Sequence, residues 1–117
     1  MSTRASGELG ERIAAAFLKL KGYRIVDANV RVARREVDLV VAGGGAIVAV
    51  EVKLRWGRRF GTAAESIDER KLARLRVALA GIASAAGETG SPRIDVITID
   101  VDESGDHMSV EHYVGVT

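Results

Sequence analysis

Residues Glu36 to Lys53 read EVDLVVAGGGAIVAVEVK. Two runs rich in Val, Leu and Ile flank three glycines, and Asp38, Glu51 and Lys53 lie within segments apolar enough to be buried. Ionised groups in such a setting are costly unless paired or bound to a metal. Apolar β-formers bounded by glycine read as two strands joined by a tight turn. A two-residue turn at Gly44-Gly45 sets Gly43 opposite Ala46. Counting outwards sets Asp38 opposite Glu51 and Glu36 opposite Lys53. Opposed residues of antiparallel strands share a face, so three carboxylates and an ammonium are expected on one patch of sheet. Facing carboxylates repel each other, and a hard divalent cation such as Mg²⁺ prefers oxygen ligands of this kind. Asp38 and Glu51 are therefore the candidate metal ligands, joined by the backbone carbonyl of Val52. Lys53 shares the face of Glu51 and could position a water or offset charge on a phosphate.

The rest of the chain must carry that hairpin. Leu9, Ile13, Ala16, Phe17 and Leu20 recur at helical spacing, which predicts a first helix over 7–21 with Ser6 as N-cap and Gly22 at C′. On that wheel Glu11 points away from the middle of the stripe and reads as a solvated side chain. A strand over 23–32 follows, with Asn29 marking a bulge or turn, and then the hairpin strands over 36–42 and 46–54. Residues 55–65, RWGRRFGTAAE, have no period and read as a loop leaving the lysine strand. Loops that extend from a site often hold the substrate. This one carries Arg55, Arg58 and Arg59 with Trp56 and Phe60. Ser66 followed by Glu69 has the capping-box form. Leu72, Leu75, Leu79, Ile82 and Ala86 then mark an amphipathic helix, with Lys71 and Arg74 off its apolar stripe. Strands over 93–101 and 108–116 close the chain. The order is αβββαββ, and a helix between the third and fourth strands implies a parallel neighbour there. The expected fold is α/β, a mixed sheet flanked by helices, with cover on both faces of the hairpin strands.

With 117 residues and 47% hydrophobic content, residues 1–117 are expected to form one domain with its own core. The chain has no cysteine, which excludes disulfides and thiolate zinc sites. No stretch approaches the ~20 apolar residues of a membrane span, and the N-terminal region carries charges throughout, unlike a signal peptide. A cytoplasmic protein without a membrane partner is the expectation. The net charge of +1 conceals an asymmetry: residues 31–76 hold eleven basic and six acidic side chains, and residues 77–117 hold one and seven. A basic surround to an acidic patch suits a polyanion such as nucleic acid. Arg55, Arg58, Arg59, Lys71 and Arg74 are the candidate contacts. Asp100, Asp102, Ser104, Gly105 and Glu111 approach a calcium-loop spacing, but β-rich flanks replace the helices of an EF-hand, so the segment reads as an acidic hairpin turn. His107 and His112 read as surface residues.

The segments EVDL from Glu36 and VEVKLR from Val50 resemble the active-site signature of the PD-(D/E)xK nuclease superfamily. The wider pattern, from Gly7, Gly10, Glu11 and Ala14 through Gly22-Tyr23, Asn29, Arg31, Phe60-Gly61 and Lys71 to the RIDV segment from Arg93, resembles the YraN-like family of small bacterial proteins. That family is itself similar to archaeal Holliday-junction resolvases. The resemblance implies a restriction-endonuclease-like core in which Asp38 and Glu51 bind Mg²⁺ or Mn²⁺ and Lys53 assists hydrolysis. It brings Glu11 into the metal site as a fourth catalytic residue and lets Lys71 reach the phosphate. It also implies a nuclease acting on DNA, branched or damaged, for which paired cuts would call for a homodimer. A nucleic-acid-binding module that keeps the fold without cleavage is the alternative. The chain departs from the family pattern at Arg35, where glycine commonly precedes the Glu-x-Asp, and at Leu54.

Overall fold

The hairpin forms as its glycines dictate. Gly44 and Gly45 take φ of +58° and +78°, the left-handed pair of a two-residue turn that glycine adopts without steric cost, and Gly43 pairs with Ala46. The computed structural model describes residues 3–32, 34–57, 61, 63–64, 67–85 and 92–116. The element order is α1 (Thr3–Leu20), β1 (Arg24–Val32), β2 (Arg35–Gly43), β3 (Ala46–Trp56), α2 (Glu69–Ala85), β4 (Arg93–Val101) and β5 (Met108–Tyr113). The strands form one five-stranded sheet in the order β1-β2-β3-β4-β5. The β3–β4 pair is parallel and the other pairs are antiparallel, because α2 carries the chain back to the same end of the sheet. This is the mixed sheet expected from the element order, and it is consistent with the restriction-endonuclease-like core that the resemblance implies. No described helix is long and apolar enough to cross a membrane.

Several boundaries differ from the expected ones. Helix α1 starts before Ser6, so Ser6 is not its N-cap; its Oγ instead accepts a hydrogen bond from Trp56 Nε1 at 3.2 Å. The C-terminal end is as expected. Gly22 donates to the Lys19 carbonyl and Tyr23 to that of Leu18, the Schellman arrangement. Strand β3 runs on through Arg55 and Trp56, which were expected in a loop. At the start of α2, Asp68 Oδ1 accepts the amides of Arg70 (2.9 Å) and Lys71 (3.3 Å), so Asp68 caps the helix. Ser66 lies outside the described residues, as do Arg58, Arg59, Phe60 and Ala86.

The two helices cover opposite faces. Ala14 and Leu18 of α1 pack with Leu39, Val41, Val48, Val50, Ile97 and Ile99. Leu72, Leu75 and Leu79 of α2 pack with Val40, Ile47, Ala49, Ile94 and Val96. Each buried leucine contributes about 1.5–3 kcal/mol. Alternation fails at one place, because Val37 belongs to the α2 side together with Val40, while Leu39 faces α1. Helix α1 also sits unusually close to β3. A Cβ on Gly10 would meet Leu54 Cβ at 3.3 Å and Val52 Cγ1 at 3.4 Å.

A second polar cluster ties β4, β5 and α1 together. Asp95 is fully buried. Its Oδ1 accepts from Arg93 Nε (2.8 Å) and the Gly115 amide (3.0 Å), and its Oδ2 from Arg93 Nη2 (3.0 Å). His112 Nε2 lies 2.7 Å from Oδ2, and its Nδ1 lies 2.7 Å from Lys21 Nζ. The ammonium can only donate, so Nδ1 accepts and Nε2 carries the proton given to Asp95. Arg93 also donates to the Tyr23 hydroxyl at 2.8 Å. The expectation of a surface His112 is therefore wrong: its side chain is 2% exposed. His107 is exposed, 3.2 Å from Asp102. Asp102 closes the β4–β5 turn through Ser104 and the His107 amide, and Asp100 accepts the Ala63 amide, which agrees with an acidic turn.

Two substitutions test this packing by chemical denaturation. Gly10→Leu should overpack the α1–β3 contact and cost about 1–3 kcal/mol. Asp95→Ala should cost about 1–3 kcal/mol, because it leaves the buried His112 Nε2–H and the Gly115 amide without an acceptor. Wild-type stability in either variant would contradict the contact concerned.

Candidate metal centre

The β2–β3 ladder ends at Leu39 opposite Val50. The next step outwards sets Asp38 across from Glu51, the register that the glycine turn requires. There the strands stop pairing, and Asp38 Oδ2 accepts the Val52 amide at 2.8 Å in place of a backbone carbonyl. Glu51 is 2% exposed. Its Oε1 receives Lys71 Nζ at 2.6 Å and Lys53 Nζ at 3.4 Å. Its Oε2 is buried with no hydrogen-bond partner among the described residues, and so is Oε1 of Glu11.

Glu11 does not behave as the helical wheel implies. It is half-buried, and its carboxylate groups with those of Glu36 and Asp38, with donor atoms within 4.8 Å of one another. The wheel fails because the flank of α1, not the centre of its stripe, meets the end of β2. The expected single patch is also rearranged. Lys53 pairs with Glu51 and not with the exposed Glu36, which lies opposite Arg31 on β1. Asp38 is the member common to both groups, close to Glu11 and Glu36 on one side and coupled to Glu51 and Lys71 on the other.

The electrostatics record this crowding. Burial, followed by repulsion from Glu51, pushes the Asp38 carboxyl up to about 7, against the Val52 amide and Lys71. Burial and then Glu36 raise Glu11 above the usual carboxylate range. Burial pulls the Lys71 ammonium down, but Glu51, Asp38 and Glu36 outweigh it and hold the pKa above its ordinary value. An oxygen-rich cluster with two orphaned buried oxygens is a donor set that fits a hard divalent cation. Glu11, Glu36 and Asp38 are the carboxylates whose oxygens lie close enough together to share one, while Glu51 lies outside that group. Strand geometry sends the N–H and C=O of one residue to the same edge, so the Val52 carbonyl faces the gap in which its amide meets Asp38.

The model of UPF0102, an uncharacterised protein family, matches residues 10–99. The chain belongs to UPF0102. This is the YraN-like group that the sequence resembles. A UPF0102 protein of Symbiobacterium thermophilum is 42% identical over 104 residues, covering 88% of each chain. One of Moorella thermoacetica is 41% identical over 112 residues, covering 95% of this chain and 93% of its own. One of Roseiflexus castenholzii is 43% identical, covering 91% and 87%. The span matched to UPF0102 contains Glu11, Asp38, Glu51, Lys53, Lys71 and the Arg93–Asp95 pair, and it ends before His112.

Of the expected nucleic-acid contacts, Lys71 lies in the site, while Arg55 at the end of β3 and Arg74 on α2 are exposed. Sequence reasoning gave Asn29 no role in this neighbourhood; its signals were a turn-forming residue inside a strand and a place in the family pattern. The raised Asp38 pKa has a defined sign. The folded value, about 7, exceeds the ordinary aspartate value of 3.8. The folded state thus holds that proton more tightly, and its stability falls as pH rises between those values. Without divalent cation, Asp38→Asn should be more stable than wild type at pH 8 by roughly 1–3 kcal/mol, and the gap should close towards pH 4. Urea denaturation at both pH values measures it, and equal stability at pH 8 would contradict the assignment.

Proposed function

We propose that this chain is a metal-dependent nuclease that hydrolyses phosphodiester bonds in DNA, with branched or damaged DNA among the candidate substrates. The observation that carries this reading is the pair of orphaned buried oxygens, Glu11 Oε1 and Glu51 Oε2, beside an Asp38 whose pKa stands near 7. Asp38, Glu51, Glu11 and the Val52 carbonyl would hold Mg²⁺ or Mn²⁺. The bound ion would lower the pKa of a water and polarise the phosphoryl oxygen. Lys53, 3.4 Å from Glu51 and partly exposed, is placed to orient that water or to offset charge on the phosphate. Arg55 and Arg74 offer exposed positive charge for backbone phosphates, which position a nucleic acid without reading its sequence.

One observation favours the second reading, a nucleic-acid-binding module without turnover. Lys71 already supplies Glu51 with a cation at 2.6 Å. The deciding experiment incubates the protein with labelled linear, nicked, flapped and four-way DNA in Mg²⁺ or Mn²⁺. Cleavage is expected, and Asp38→Ala and Glu51→Ala should each reduce it by about 100-fold or more, the loss of several kcal/mol of charge stabilisation. Variants that cut as well as wild type would end the nuclease reading. Binding without cutting would select the module.

A further inference from the structure

Only two described non-glycine residues adopt a left-handed backbone. Arg34, with φ of 68°, sits in the β1–β2 turn, where such a conformation is ordinary; Asn29, with φ of 52°, sits inside a strand. Asparagine tolerates the left-handed region better than most residues, but there it is still strained. Such outliers persist where surrounding structure holds them, often beside functional sites. The register shows what lies beside this one. Ala28 pairs with Leu39 and Val30 with Val37, which sets Asn29 directly across from Asp38.

It is also the point at which alternation breaks. Val30 and Val37 face α2, while Leu39 faces α1, so both strands change the direction of their side chains between these pairs. Asn29 is exposed, and its amide acts to lower the Glu11 pKa, as a donor to that carboxylate does. Asn29, Glu11, Glu8, Arg12 and Lys19 border one surface depression of about 390 Å³.

We propose that Asn29 is a positioning residue: its left-handed backbone turns the amide onto Glu11 and holds that carboxylate beside Asp38 and Glu36. The inference rests on the cation-site reading above. It assigns a role to the backbone strain, which packing alone does not require. Partners that orient a metal ligand typically change metal affinity about 10–100-fold when removed.

Asn29→Gly separates positioning from structural support, because glycine adopts φ of +52° freely and lacks only the amide. The melting temperature of the metal-free variant should match or exceed that of wild type, while the Mn²⁺ dissociation constant from titration calorimetry rises about tenfold or more. In a Glu11→Gln background the same substitution should add little, since Asn29 acts through Glu11. An unchanged Mn²⁺ affinity in Asn29→Gly, or an equal loss with and without the Glu11 carboxylate, would overturn the proposal. Absence of Mn²⁺ binding by wild type would overturn the cation site itself, and the proposal with it.

Discussion

Everything distinctive in this structure follows from the repulsion between Asp38 and Glu51 where β2 and β3 part. The hairpin fixes both residues before any partner is considered, because the Gly44-Gly45 turn sets the register and the buried valines hold it. Two carboxylates so placed cannot both ionise cheaply in a poorly solvated gap. The chain answers with an amide from Val52 and with two ammonium groups, Lys71 and Lys53, both directed to Oε1 of Glu51. Those contacts lessen the conflict without removing it, since burial and Glu51 still push the Asp38 carboxyl up to about 7.

The opposite face of the same sheet, one strand over, shows that this conflict is not a failure of packing. Asp95 is as deeply buried as any residue of the chain, yet each of its oxygens is satisfied by Arg93, the Gly115 amide or His112. Burial alone would raise its pKa, but those hydrogen bonds outweigh burial and hold it below the usual value. One sheet thus contains a buried carboxylate with its donors complete and a carboxylate cluster with its donors incomplete. The first fastens β5 and the end of α1. The second is left poised for something positively charged.

How much of this was legible depends on how local the cause is. The Asp38–Glu51 register could be counted because a glycine pair and a two-residue period determine it. The parallel β3–β4 pair followed from one intervening helix. The helical wheel misjudged Glu11, which only the resemblance brought into the site, because a wheel describes a helix against a flat core and here the flank of α1 meets the end of a strand. The burial of His112 could not be read, since the edge strand alternates weakly and its partners, Asp95 and Lys21, lie 17 and 91 residues away. Asp68 took the cap expected of Ser66, a contest between two good capping residues that composition cannot decide.

The break in alternation resolves what the simple hairpin could not. An ideal two-residue period would keep Asp38 with Glu51 on the α2 side, out of reach of α1. Because Val37 turns to the α2 side instead, Asp38 is released towards the edge, where Glu11 and Glu36 approach it while its coupling to Glu51 survives. Gly10 allows the matching step on the helix, since a side chain there would press against Val52 and Leu54 and lift Glu11 away. The carboxylates therefore come from both faces of one sheet and meet only at the gap between β2 and β3. Asp38 alone belongs to both groups, close to Glu11 and Glu36 on one side and repelled by Glu51 on the other.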